Sequence, residues 1–558
     1  MREFEVTYER INGGETEKRT YSEEIVALEI LAEIEPSEID NVYAVFIDGS
    51  IHSLNHTIRS DASISFITYK TSTGEKMYET TLKYVFLMAL KILYKDTQVK
   101  ISNKLGRDMF FRVTAGDIDV DTIKQKMLEI ISLKLPIERH EVHRKELEAR
   151  YEEMGYVCNI EKDMQFNNRY KIYSCDYYDF KYYNYLYSRL LPNTKHIKHF
   201  DIIQYMDGIL LRMPMKGDNN KAQEKPKKSR LFELLNENSF HYSVEYVNEL
   251  NENLKIPKAS TGVMQKAESF HHTRFDRCAE EIIKKNARFV FLAGPSSAGK
   301  TTSANRISEK LANRGKKSIV IGMDDFFLNF EDSPLINGKK NLDAITHVDL
   351  KLFREVIIDL LRDKEVKLPK YEFTLNQGER TYPYAPVKID NDTIIIVEGI
   401  HALNPLASDF IDKKNIYNVY VAPIVTLSYD PFTKVSSNMV RLTRRIVRDY
   451  YTRGRKVEET FQSWKDVLEG ERENIYPFLK HADYIINTTL NYEMSVLKPL
   501  AKDLVLNVPD DSKWNYLAKE VFRTIERFKD LNDSLVPFDS ILREFIGNSC
   551  YYPEKTER

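Results

Sequence analysis

An apolar run that breaks into a glycine-bounded loop and then a lysine leaves a chain few ways to fold. Residues 289–302 read FVFLAGPSSAGKTT, and residues 294–301 fit the pattern G-x-x-x-x-G-K-[ST]. The run at 289–293 predicts a strand. Ala304, Ile307, Ser308 and Leu311 then fall on one face of a helix that Gly315 stops. The glycines let the backbone curl, so that successive N–H groups converge at a helix N-terminus and bind an anion there. Gly294, Pro295, Ser296, Ser297, Ala298, Gly299, Lys300, Thr301 and Thr302 are therefore the expected residues for the polyphosphate of a nucleoside triphosphate. Lys300 is placed to reach the β- and γ-phosphates, and the Thr301 hydroxyl to ligate Mg²⁺.

From Arg288 onward the strand signal recurs. RFVFLA, KSIVIGM, DTIIIVEG, NIYNVYVA and ADYIINT are short apolar runs separated by helical or loop stretches, which is the pattern of a parallel sheet flanked by helices. Open α/β sheets hold ligands beyond the carboxyl ends of their strands. Asp324 and Asp325 stand there after the second run, and a carboxylate at that place can accept the proton of an attacking hydroxyl. Phe326 or Phe327 can wall a flat substrate, and Glu398, closing the third run, lies near the metal. The base-reading N-K-x-D of a GTPase is absent. Further on, RLTRRIVRDYYTRGR puts six arginines within residues 441–455. Arg441, Arg444, Arg445 and Arg448 recur at i, i+3, i+4 and i+7, so like charges crowd one side of a helix and call for an anion. A lid closing over the triphosphate is favoured over nucleic acid, since the net charge is only −2.

The 558 residues exceed one ordinary core, and 42% hydrophobic with 30% charged residues is an ordinary soluble composition. Cys158, Cys175, Cys278 and Cys550 lack C-x-x-C spacing. With no secretory apolar core and no run near membrane-span length, a cytoplasmic protein without a membrane partner is expected. Residues 1–66 alternate like a small β-rich unit, with a helical stretch at 23–33 and a hairpin at Asp48-Gly49. Residues 67–215 mix helix and strand, including a charged helix read over ERHEVHRKELEARYEEMG, which carries His140 and His143. Residues 216–285 are expected to be a linker and helical connector, 286–509 the α/β unit, and 510–558 a helix and tail.

The P-loop, MDDFF, VEGIHAL and RRIVRDYYTRGR occur in an order that resembles the uridine kinase and phosphoribulokinase group of P-loop kinases over residues 286–509. The resemblance implies an ATP- and Mg²⁺-dependent kinase for the 5′-hydroxyl of a nucleoside, with uridine or another pyrimidine nucleoside first in line. It places Asp324 on the catalytic aspartate, Phe327 and Tyr371 against the nucleoside, and Asp343 on the ribose hydroxyls. Arg445 and Arg455 fall on the substrate side, Arg448 and Arg453 in the lid, and Glu398 near Mg²⁺, directly or through water. Two positions depart from the pattern. Asn376 stands where the family has a histidine that reads the pyrimidine, and Ser463, beside Gln462, stands where it has a glutamine.

Residues 1–66 resemble the TGS β-grasp domain, and 67–215 the second additional domain of threonyl- and alanyl-tRNA synthetases. KAESFHHTRFDRCAEEIIKKNARFVFLAGPSSAGKTT and the closing FDSILREFIGNS look like a bacterial nucleoside kinase family that carries this fusion. In the synthetases the second domain holds zinc through an H-x-x-x-H, where this chain has Thr80 and Tyr84, and His196 and His199 lack the matching cysteine. No zinc is therefore expected. RNA binding by the tyrosine-rich stretch at 170–191 is less economical than a half-buried sheet. Two rivals stand beside the nucleoside kinase: a kinase for a sugar phosphate such as ribulose 5-phosphate, and an ATP-dependent protein that binds RNA or tRNA. Family kinases are often oligomeric, which makes a homo-oligomer an analogy-based expectation.

Overall fold

The computed structural model describes residues 3–11, 16–160, 169–223, 244–336, 339–340, 344–373 and 378–551. The five apolar runs all form strands of one parallel sheet. Their order is Ser318–Gly322, Ile394–Glu398, Phe289–Ala293, Ile416–Ala422 and Tyr484–Asn487. Every residue of Phe289–Ala293 and Ile394–Glu398 is buried, as strands covered on both faces must be. Because the chain crosses from the middle strand to the edge and back, the turns after the first three strands open at one carboxyl edge.

One face of the sheet is covered by Pro257–Lys284, Lys300–Ala312, the arginine-rich helix Ser437–Arg453, Glu493–Leu506 and Asn515–Ile525. The other is covered in part by Leu350–Leu361. The stretch read as a tail is built into the first of these cores. Ile541, Leu542, Phe545 and Ile546 are buried there, beside the P-loop helix. Their apolar spacing is too short for a periodic signal, so only tertiary packing reveals them.

In the other half, residues 4–68 form a five-stranded sheet whose Phe4–Glu9 and Ala62–Thr68 pair in parallel, with Ala27–Ile34 as its helix. Asp48 and Gly49 turn with φ of 47° and 76°, the hairpin that an Asp-Gly pair favours. Ser72–Leu93 runs as a nearly buried helix through the next core, beside the antiparallel strands Gln98–Leu105, Asp108–Ala115, Asp201–Tyr205 and Gly208–Arg212.

The helix read over 138–155 begins only at Arg144; Glu138–His143 is a strand paired antiparallel with Arg169–Tyr177. Pairing with the tyrosine strand outweighs the local helical preference of the charged residues. His140 consequently sits on a sheet, with Nε2 2.7 Å from Ser174 Oγ. Thr80 donates to its own helix at Lys76 O (2.8 Å), and the buried Tyr84 hydroxyl donates to Tyr182 O (3.2 Å). Part of the expected linker is also a strand: Pro214–Met215 and Asp218–Ala222 make a hairpin, while residues 224–243 lie outside the described residues.

The halves interlock. A hairpin of Ser428–Asp430 and Thr433–Lys434 stands just before the arginine helix and pushes Phe432 into the core around Ser72–Leu93. Phe432 is 3% exposed, with the Tyr156 ring 4.9 Å away. Lys83 Nζ donates to Phe432 O at 2.6 Å and Ile101 N–H to Pro431 O at 2.8 Å. Among the described residues, no helix is long and apolar enough to cross a membrane.

His271, on Pro257–Lys284, gives this core a pH dependence. Its Nε2 lies 3.0 Å from Thr489 O, and burial with the charges of Arg306, Arg274 and Arg444 pushes its pKa down to about 3. The unfolded chain binds a proton near pH 6.5 that the folded chain refuses, so stability falls as the pH drops below that value. The loss from this residue is expected to reach about 2 kcal/mol at pH 5. His271→Gln should flatten the melting temperature against pH between 7 and 5; an unchanged slope would assign the acid sensitivity elsewhere.

Candidate active site

The phosphate loop is shaped by contacts that glycine alone allows. A Cβ on Gly294 would overlap the Val421 carbonyl of the neighbouring strand. Ser297 at φ 58° and Gly299 at φ 85° are both left-handed, which turns successive N–H groups inward and starts the helix Lys300–Ala312. Lys300 Nζ lies folded over the loop, 3.4 Å from Pro295 O. Thr301 Oγ1 donates to Glu398 Oε1 at 2.9 Å, which ties the first helical turn to the end of the third strand.

Asp324 and Asp325 share one short helical turn, Met323–Phe326, but have different surroundings. Asp325 accepts the Tyr371 N–H at 3.2 Å and pairs with Lys370 Nζ at 3.0 Å. Asp324 is half-buried, and its Oδ1 is enclosed with no hydrogen-bond partner among the described residues. Burial raises the Asp324 pKa, the Lys300 charge opposes that rise, and Asp325 adds to it. Arg453 is also close enough for its charge to stabilise the Asp324 carboxylate. Glu398, 8% exposed, is pushed up to about 7 by burial and then by the Asp324 charge. Two neighbouring carboxylates that resist ionising together, next to a threonine hydroxyl, are the oxygen donors a hard divalent cation satisfies. The residues present thus fit the Mg²⁺ that the sequence implies.

The arginine helix differs from expectation in its partners. Arg441 is held bidentate by Glu471, and Arg444 Nε donates to Glu493 Oε2 at 2.6 Å; all four groups are buried. These two arginines meet their anions inside the fold, so their charge does not require a bound ligand. They also brace the loop: Arg441 Nε donates to Ser296 O (3.0 Å) and Arg444 Nη1 to Ser297 O (3.3 Å). Arg445 Nη1 donates to Ser296 Oγ at 2.7 Å, and its Nη2 reaches Ser463 Oγ at 3.3 Å. Asp449 gathers the rest, with Arg445 at 3.3 Å, Arg448 at 2.7 Å and Arg453 at 3.6 Å. Burial raises the Asp449 pKa, but the three arginines outweigh it and hold the carboxyl below its usual range. Gly454, at φ 63°, ends the helix, and Arg455 lies just beyond it.

Phe327 and Tyr371, both expected against the nucleoside, meet edge to face at 5.5 Å. His347, which sequence reasoning passed over, completes this cluster, 4.6 Å from the Phe327 ring and with Nδ1 2.6 Å from Ser333 Oγ. A lone histidine in a loop gives no sequence signal of such packing. Asp343 and Asn376 lie outside the described residues. Sequence reasoning also missed Asp449, Glu471, Glu493 and Glu544, whose Oε2 lies 2.7 Å from Thr302 Oγ1.

A parallel sheet of this order, with a phosphate loop after its middle strand and carboxylates at the same edge, defines a P-loop kinase. The profile of the Phosphoribulokinase / Uridine kinase family matches residues 289–495. A uridine kinase of Staphylococcus epidermidis is 30% identical over 204 residues, which cover 35% of this chain and 86% of that protein. The chain belongs to the phosphoribulokinase and uridine kinase family. Uridine-cytidine kinase C of Dictyostelium discoideum is 29% identical over 228 residues, covering 40% of this chain and 44% of that protein. Another part of the chain is similar to a threonine–tRNA ligase of Halalkalibacterium halodurans, at 32% identity over 139 residues, covering 24% of this chain and 22% of the ligase.

Proposed function

We propose that the kinase half transfers the γ-phosphoryl group of ATP to the 5′-hydroxyl of a nucleoside, with uridine or another pyrimidine nucleoside as the acceptor. The observation that carries this reading is Asp324. It offers an enclosed carboxylate oxygen, without a partner among the described residues, beside Lys300 and Glu398. The acceptor oxygen forms a bond to the γ-phosphorus as the bond to the leaving β-phosphate oxygen breaks, and the hydroxyl proton goes to Asp324. Lys300 and the loop N–H groups bind the polyphosphate, and Arg448 and Arg453 neutralise charge as it spreads over the transferring oxygens. Arg445 and Arg455 serve the acceptor side. Thr301 and Glu398 would hold Mg²⁺, which neutralises phosphate charge when bound.

Phe327 and Tyr371 suit a flat base better than a sugar phosphate, and the similarity to uridine kinases supports the same choice. The test is ADP release from ATP and Mg²⁺ against ribo- and deoxyribonucleosides and ribulose 5-phosphate. Stimulation by a pyrimidine nucleoside is expected. Stimulation by ribulose 5-phosphate alone, or by no acceptor, would end the nucleoside reading.

A further inference from the structure

The C-terminal segment sets a carboxylate inside the phosphate cradle. Glu544 Oε2 accepts two hydrogen bonds from Thr302, from Oγ1 at 2.7 Å and from the backbone N–H at 3.2 Å. Thr302 is in the first turn of Lys300–Ala312, where N–H groups lack intrahelical acceptors and the helix end favours negative charge. In a phosphate loop these first-turn donors serve the α- and β-phosphates. A carboxylate oxygen therefore stands where a phosphate oxygen has to go, and two anions cannot share the same pair of donors. Glu398, farther along the cradle, also feels the Glu544 charge.

The segment holding this carboxylate is fixed. Ile541 lies so close to the loop that a Cβ on Gly299 would meet it at 2.7 Å, and Leu542, Phe545 and Ile546 are buried. The Arg444 guanidinium sits 4.9 Å from the centre of the Phe545 ring. Asp539 Oδ2 is 3.5 Å from Arg306, which projects from the P-loop helix itself. Glu544 is only half-buried, so its side chain can rotate off Thr302 while the backbone stays in place.

We infer that Glu544 is a built-in competitor for the nucleotide: its carboxylate occupies the Thr302 donors until the phosphates of ATP displace it. The inference rests on residues 294–302 being a triphosphate cradle and adds the regulation of that site.

The experiment is calorimetric binding of ATP, tripolyphosphate and adenosine to the full chain with Mg²⁺, for wild type, Glu544→Gln and Glu544→Ala. Both variants are expected to bind ATP and tripolyphosphate more tightly, on the order of tenfold, because no charge-assisted hydrogen bond has to be broken first. Adenosine, which carries no phosphate, should bind equally to all three. Should the alanine variant fail to fold, the isosteric glutamine variant decides. Unchanged ATP affinity in Glu544→Gln overturns the inference; weaker affinity overturns it by making Glu544 a ligand of the nucleotide. If wild type and variants all fail to bind ATP, the cradle reading falls and the competitor falls with it.

Discussion

Asp324→Asn is expected to lower the turnover of nucleoside phosphorylation by about a thousandfold, with ATP affinity within a few-fold of wild type. Asparagine keeps the size of the side chain and an oxygen to offer a cation, and removes the capacity to accept a proton as the acceptor oxygen attacks. Asp324 is half-buried and Lys300 lies near it, so the change also removes one negative charge from the cradle. Any effect on ATP binding should therefore be a slight gain, and the deficit should fall on the chemical step. Asp325→Asn is the internal contrast, because Asp325 already holds Lys370 and the Tyr371 backbone. Its cost should appear in the KM for the nucleoside. Single-turnover rates separate the two, and an Asp324→Asn enzyme with wild-type turnover would end the assignment of Asp324 as base.

Arg444→Met should be the most damaging single change to the fold, destabilising the kinase half by about 3–5 kcal/mol. Arg444 is 0% exposed and Glu493 1%, so removing the guanidinium strands a carboxylate that solvent cannot reach. Arg444 Nη2 also donates to Thr488 O at 2.7 Å, and Nη1 to the loop carbonyl of Ser297. The loss therefore extends into the cradle, and ATP affinity should fall together with the melting temperature. The double change Arg444→Met with Glu493→Leu should recover most of the stability, since it leaves no unpaired charge. Thermal melts of both variants check this, and equal melting temperatures for wild type and Arg444→Met would make the pair energetically neutral.

Residues whose roles are set by their neighbours in sequence were legible before the structure. The five apolar runs, the glycine-bounded loop and the Asp48-Gly49 turn each carry their cause within a few residues. The distant partners of the arginine helix and of the phosphate-loop helix do not. Glu471 lies 30 residues from Arg441, Glu493 lies 49 from Arg444, and Glu544 lies 242 from Thr302. Each is an ordinary glutamate on its own helix, and nothing in its local pattern sets it apart from a solvated one. A crowd of arginines therefore suggested an external anion when the fold supplies three anions itself, Glu471, Glu493 and Asp449. The strand Glu138–His143 was hidden for a related reason: its single buried residue, Val142, gives too little alternation to oppose a charged helical pattern.

The hairpin that carries Phe432 bears on how far this chain can be divided. A fragment cut after residue 285 would keep the sheet and the phosphate loop, but it would present to water a phenylalanine that now completes another core. Burying such a side chain is worth about 1.5–3 kcal/mol, and the remaining half would be left with a hole of the same shape. The two pieces are tongue and groove, and the tongue is anchored at the root of the helix that braces Ser296 and Ser297. A kinase assay on the isolated C-terminal half would thus report on a molecule with its brace unseated.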